Sequence, residues 1–283
     1  MSWYNDLSMQ LKGRNGALMR LLLINSGLFL VVNLAIGIGM LSGVHNIQYF
    51  FIDILDLPGS LSHLLVRFWT PVTYMFVHYG FFHLLSNMLW LFFIGRMFSD
   101  LLGGARLTGL YVLGGLTGAA LFVLVAQLLP GYENAELKGA SGSVMAVVIG
   151  MAAYRPDTTV FPFGIEMRLK WLALIAFVLT TLLDLPMNLG GKAAHLGGAF
   201  IGLWYGWQLR TKGHVLEGWS KIFVFPKTKL RVEHRAGKRA PNSRDPQQIR
   251  RKIDEILDKI SRSGYDSLSK EEKEYLKANH DKF

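Results

Sequence analysis

His78-Tyr79-Gly80-Phe81-Phe82-His83-Leu84-Leu85-Ser86-Asn87-Met88-Leu89-Trp90-Leu91-Phe92-Phe93 sets polar side chains at intervals inside an apolar run. The run extends over about 72 to 95, long enough for a helix that crosses a bilayer. In hydrocarbon each polar side chain is costly and asks for a reason. His83 and Asn87 are four apart and share one helix face, whereas His78, five residues before His83, points well away from it. One face of this span is therefore polar by arrangement. Interhelical hydrogen bonds that tie a bundle together are one reason for such a face, and a reactive cavity is another.

Working outward, further apolar runs lie near 21 to 41, 107 to 129, 140 to 154, 169 to 187 and 193 to 209, six in all. Several contain Gly, and the fourth is short for a lone span, which suits helices packed against one another. The composition agrees: 51% hydrophobic, 18% charged and a mean hydropathy of +0.28 exceed what a soluble domain of 283 residues buries. The fold class expected is all-α, a polytopic membrane protein with a six-helix bundle. The first run follows Lys12, Arg14 and Arg20 and lacks a small-residue cleavage site, so it reads as a retained helix rather than a signal peptide.

Charge sets the expected orientation. Segments 1 to 20, 96 to 106, 155 to 170 and 210 onward are basic, while the connections 42 to 71, 130 to 139 and 188 to 192 hold only Arg67, Lys138 and Lys192. Basic segments favour the cytoplasmic side, so both termini are expected there. The long connection after the first span, with Tyr49, Phe50, Phe51, Ile52 and Ile54 beside Asp53 and Asp56, reads as an interfacial loop. Between Arg210 and Lys252 thirteen Lys or Arg face three acids, an excess equal to the net +10 of the whole chain. The high pI thus belongs to one tail and is no sign of a nucleic-acid-binding fold. Cysteine is absent, which excludes disulfides, thiolate catalysis and Cys-ligated metals.

Two further segments carry polar residues. The fourth span opens with Gly139-Ala140-Ser141-Gly142, where a serine flanked by glycines at a helix start is either a helix cap or an accessible nucleophile. The sixth opens with Ala194-His195-Leu196-Gly197-Gly198, and Gly198, Gly202 and Gly206 repeat every four residues to form a groove for a neighbouring helix. The second, fourth and sixth spans all run inward from the outer side. Ser141, His195, His83 and Asn87 then converge near one depth below the outer surface, in a cavity that water must reach for hydrolysis.

The run from Thr73 to Met88, the Gly-x-Ser-Gly at 139 to 142 and the Ala-His-x-x-Gly-x-x-x-Gly at 194 to 202 resemble the three signatures of rhomboid intramembrane serine proteases, over roughly 20 to 210 and in the same order. The resemblance implies a bacterial type of six-span rhomboid bundle that hydrolyses a peptide bond in or near the transmembrane segment of single-span membrane proteins. It implies a Ser141–His195 dyad with no acidic third member, an oxyanion site from the His83 and Asn87 side chains with the Ser141 backbone N–H, and His78 as a structural histidine. Gly139, Gly142, Gly198, Gly202 and Met145 fall near that site. Neither metal nor cofactor is implied, and the partners are substrate proteins and the lipid bilayer. The sequence departs from the family pattern at Thr70, where Arg usually follows Trp, at Ser99, where an acid is common, and at Met145, where an aromatic often stacks on the catalytic histidine.

Two alternatives stand beside this reading. A catalytically silent relative would bind membrane helices without cutting them, and a transporter would use the polar cavity for an ion or small solute, although acids are scarce in the spans. The compact layout without a transit-like leader points to a bacterial plasma (inner) membrane, with the site opening outward. The domain organisation expected is a cytoplasmic segment 1–20, the membrane domain 21–210, a basic linker 211–245 and a C-terminal cytoplasmic helical hairpin 246–283. In that hairpin Ile249, Ile253, Ile256, Leu257 and Ile260 keep helical periodicity, Gly264 is a stop, and Ser269 with Glu272 is a capping box. It is either a self-packing appendage or a docking element held near anionic lipid.

Overall fold

The computed structural model describes residues 11, 13–182, 188–223 and 246–279. The chain divides into two compact units, Met1–Thr228 and Lys229–Phe283. Along the first run α1 (Gly16–Leu41), α2 (Ile47–Leu55), α3 (Leu61–Val66), α4 (Phe81–Leu102), α5 (Gly104–Leu128), α6 (Ser141–Tyr154), α7 (Leu169–Phe177), α8 (Leu189–Lys212) and α9 (Glu217–Ile222). Helix thus lies on all six apolar runs, and the protein is an all-α polytopic membrane protein. α1, α4 and α5 are long and apolar enough to cross a membrane, while α6 and α7, the latter continued by a π-helical turn at Val178–Leu182, are shorter apolar helices. The end of the fifth apolar run, 183–187, and most of the basic linker, 224–245, lie outside the described residues.

α6 is the axis of the bundle. Its buried residues, from Gly142 through Val148 and on to Ala152, cover nearly its whole circumference, as expected of a helix that is apolar all round. It packs most extensively on α8, then on α5 and α4. Its 14 residues rise only ~21 Å, less than a ~30 Å hydrocarbon layer, so at least one of its ends stops inside that layer.

The second span starts later than its apolar run suggests. Thr70–Thr73 and Tyr74–Phe76 form single helical turns, Val77 is extended, His78 belongs to no helix or strand, and α4 begins only at Phe81 and continues to Leu102. His78 therefore sits in the connection ahead of the helix and not on the back of it. Gly80, extended at φ −99° and ψ 133°, marks the break. At the other end Gly103 takes φ +89°, a conformation suited to glycine, and turns the chain straight into α5.

Two short antiparallel ladders complete the unit. β1 (Leu57–Pro58) pairs with β2 (Glu136–Leu137), and β3 (Thr159–Val160) pairs with β4 (Met167–Arg168). In the second unit α10 (Pro246–Ser263) and α11 (Lys270–Ala278) form a hairpin with Ile253, Ile256 and Leu268 buried. Gly264 at φ +76° ends α10, Ser269 and Glu272 close a capping box on α11, and Lys259 pairs with Glu272 at 3.0 Å.

Candidate functional site

A cavity of about 760 Å³ opens among α4, α6, α7 and α8, with Tyr79, His83, Asn87, Lys138, Ser141 and His195 on its wall. The contact that positions it is made by glycines. A Cβ on Gly198 or Gly206 would collide with the carbonyl oxygen of Gly142 or Gly150, and one on Gly202 would lie 2.5 Å from that of Ala146. The four-residue repeat on α8 therefore meets a matching repeat, Gly142, Ala146 and Gly150, on α6. The two backbones approach as only small residues permit. Ser141 stands at the first position of α6 and His195 in the second turn of α8, each at the end of this glycine seam that faces the cavity.

The segment ahead of Ser141 is held on several sides. The Gly139 N–H donates to the Tyr74 carbonyl at 2.9 Å, and the Ala140 N–H donates to His78 Nε2 at 3.3 Å. Gly139 has φ +114°, and a Cβ there would lie 2.6 Å from Cε1 of His83. The His83 ring thus rests on the backbone just before the serine, with the His78 ring 5.0 Å from it, edge to face. Asn87, one turn further along α4, donates one N–H to the His83 carbonyl at 2.8 Å; an amide has a second donor available for the cavity. Met145, one turn beyond Ser141, is buried on the cavity wall.

His195 Nδ1 lies 3.2 Å from the Thr180 carbonyl oxygen and 3.4 Å from Thr181 Oγ1. A carbonyl only accepts, so this contact places the proton on Nδ1 and leaves Nε2 as a base. The carbonyl comes from the π-helical turn, and Thr180 Oγ1 donates back to the Ala176 carbonyl at 2.8 Å, a bond that loosens regular α geometry. No motif in the sequence marks either threonine; a Thr-Thr pair within an apolar run is the signal available. Asn188, also on the cavity wall, caps α8 by accepting from the Gly191 N–H at 2.9 Å.

The mouth of the cavity is charged. The side chain of Asp56 is fully buried, yet it accepts from Tyr79 OH at 2.9 Å and from Lys138 Nζ at 3.3 Å. Burial pushes its carboxyl up to about 6, against the opposing pull of Lys138 and of the Tyr79 hydrogen bond. Burial and the neighbouring carboxylate push the Tyr79 phenol up as well. Arg67 spans Asp53 at 2.7 Å and Glu136 at 3.5 Å, and the Gly59 N–H donates to the Ala135 carbonyl at 2.8 Å. The connection after α1 is thereby fastened to the strand that leads into Ser141. Thr70 is buried and donates to the Arg67 carbonyl, while Trp69 Nε1 donates to the Ile54 carbonyl, so Arg67 anchors this connection from three positions earlier than the family pattern would place an arginine. Ser99 is buried near Arg14, and the acid after it, Asp100, pairs with Arg14 at 3.4 Å. Among the described residues no cluster of three or more His, Asp or Glu is arranged to hold a metal ion.

A polytopic helical bundle with a serine and a histidine on one polar cavity is the class defined so far, and comparison with known proteins supplies the family. Residues 66–212 match the rhomboid domain, more than half of the chain, and the chain belongs to the rhomboid family. Residues 244–281 match a separate family of unknown function, DUF6576. The chain is 28% identical to RHOMBOID-like protein 5 of Arabidopsis thaliana over 158 residues, covering 53% of this chain and 48% of that protein. It is 32% identical over 137 residues to presenilin-associated rhomboid-like protein A, mitochondrial, of Danio rerio, 46% of this chain and 34% of that protein. It is 28% identical to rhomboid protein 1, mitochondrial, of Saccharomyces cerevisiae, 47% of this chain and 40% of that protein. The chain therefore spans between a third and a half of the length of these relatives.

Proposed function

We propose that the chain is an intramembrane serine endopeptidase that cuts single-span membrane proteins in or near their transmembrane segment. Ser141 Oγ attacks the scissile carbonyl as His195 Nε2 takes its proton, and His195 then returns that proton to the leaving amine. Water repeats the sequence on the acyl-enzyme. The Thr180 carbonyl does for His195 what a carboxylate does in a triad as far as orientation goes: it holds the ring and its tautomer, without a negative charge. The tetrahedral oxyanion is received by the Ser141 backbone N–H, unpaired within α6 because it begins the helix, and by His83 and Asn87.

The observation that carries the reading is the seam of α6 on α8, which brings a helix-initial serine and a histidine with a pre-set tautomer to the wall of one polar cavity. A peptide bond within a helix is shielded by its own hydrogen bonds, so substrates with small or helix-breaking residues near the cut are preferred. Cleavage of a fluorogenic single-span substrate by purified protein, compared with Ser141→Ala and His195→Ala, tests the proposal. Activity confined to the parent supports it; a silent parent against a panel of helix-destabilised substrates supports the silent, helix-binding alternative.

The orientation is part of the proposal: both termini cytoplasmic in a bacterial plasma membrane, with the cavity toward the outer side. The basic segments support it. Because the chain has no cysteine, single cysteines placed at Ser62 and Ser220 report sidedness cleanly. A membrane-impermeant maleimide added to spheroplasts is expected to label the first and spare the second; the reverse pattern overturns the orientation.

A further inference from the structure

A second cavity, of about 860 Å³, runs between α7 and α8 on the side away from the catalytic one. Leu174 and Phe177 of α7 and Phe200 and Leu203 of α8 wall it, and Ala152 of α6 floors it. From Leu196 to Arg210 it follows α8 for fifteen residues, a rise of ~21 Å, more than one leaflet of a ~30 Å hydrocarbon layer. Its character changes along its length. The end at Pro156 holds Lys170 and Arg210, with the indoles of Trp204 and Trp207 beside them. Lys170 and Arg168 pair with Asp157, at 2.8 Å and 3.3 Å, so two cations share one anion. The Arg210 side chain forms no hydrogen bond or ion pair with the described residues, although its charge is felt at Asp157. These four side chains leave a net positive charge at the one polar end of an apolar groove.

We infer that this groove is a binding site for an anionic phospholipid. The acyl chain lies along α8, and the headgroup phosphate is received by Arg210 and Lys170 at the level of the two tryptophans, where indoles favour the interface. Size argues against a protein occupant: a transmembrane helix ~10 Å across and ~30 Å long takes up roughly 2,400 Å³, far more than the groove offers. A lipid seated here also stands between α7 and α8, the helices whose Thr180 carbonyl and His195 meet at 3.2 Å. The inference does not depend on the proteolytic reading.

Native mass spectrometry of the full-length protein released from mixed micelles tests it, with phosphatidylglycerol and phosphatidylcholine supplied equally. The parent is expected to retain one phosphatidylglycerol with a preference on the order of 5- to 30-fold, as two cations near a headgroup would give. The Lys170→Ala/Arg210→Ala variant is expected to lose that preference. Ala199→Phe, which fills the groove and leaves every cation in place, is expected to lose the retained lipid of either kind. That variant separates the groove from the basic tail, whose cations it leaves untouched. A parent without preference overturns the site, as does a preference that survives both variants. A dimer that Ala199→Phe disperses, with no lipid retained, would assign the groove to a second copy and likewise end the proposal.

Discussion

The two halves of the cavity are held by opposite kinds of force. Below Ser141 and His195, α6 and α8 touch backbone to backbone along Gly142–Ala146–Gly150 and Gly198–Gly202–Gly206, with only the methyls of alanines such as Ala153 and Ala194 beside them. Above them, the connection after α1 is fastened to β2 by two ladder residues and by charged side chains, Arg67 on Asp53 and Glu136, and Lys138 on Asp56. The first contact is close-packed and rigid; the second is polar and partly titratable. On the proposed reading, in which a dyad is kept aligned while water and a peptide enter, such a division serves both needs.

The largest effect should come from the seam. Gly198→Leu forces the helices apart at the Gly142 carbonyl, and such overpacking costs about 1–3 kcal/mol or more. The expected outcome is loss of monodisperse protein in size-exclusion chromatography together with all cleavage. A well-folded, active variant would show that the seam does not position the dyad.

Gly139→Ala is the next largest. At φ +114° and against the His83 ring, alanine is strained by ~1–3 kcal/mol, but the strain is local to the segment before Ser141. Cleavage is expected to fall about 10²-fold while the protein stays folded with a midpoint lowered by roughly 2–10 °C, as that strain implies, since small misplacements near the reacting atoms weigh more heavily on rate than on stability. An equal loss of stability and activity would blur the division between seam and mouth.

Asp56→Asn sharpens the comparison through pH. The folded carboxyl titrates near 6, above its ordinary 3.8, so the folded state holds this proton more tightly than the unfolded state. The stability owed to this group is full below about 4 and is lost as pH rises through about 6. Thermal midpoints of the parent measured across pH 4 to 7 should carry that loss, and Asp56→Asn should remove it while lowering cleavage by ~10-fold through a looser Lys138. A parent and variant with the same pH dependence would place the titration elsewhere.

The smallest effect belongs to glycines outside both regions. At Gly27 and Gly37 in α1 nothing lies within 4 Å of where a Cβ would stand. Alanine at either is expected to leave cleavage unchanged and to stabilise by up to ~1 kcal/mol.

The sequence was informative where chemistry is periodic. Six apolar runs, the four-residue glycine repeat of α8 and the small residues around Ser141 are local patterns, and each corresponds to a helix or a contact in the structure. The Gly198 repeat announces a close neighbour but not which one, because the matching repeat on α6 has Ala146 between its glycines and is no longer a glycine pattern. The break at Val77–Gly80 was hidden because the apolar run passes through it, and hydropathy does not register an extended backbone. The mouth was illegible for another reason: Lys138 and Asp56 are 82 residues apart, and two-residue strands leave no period to read. The Thr180 carbonyl is a backbone atom exposed by a π turn, which no side-chain motif encodes.

The most direct test of the central claim is fluorophosphonate labelling of the purified protein, read by intact mass. The account predicts one label on the parent, placed on Ser141 by peptide mapping, none on Ser141→Ala, and labelling of His195→Ala slowed at least ~10³-fold, as loss of a nucleophile's base entails. A parent that stays unlabelled, or a His195→Ala protein labelled as fast as the parent, would contradict the pairing of Ser141 with His195.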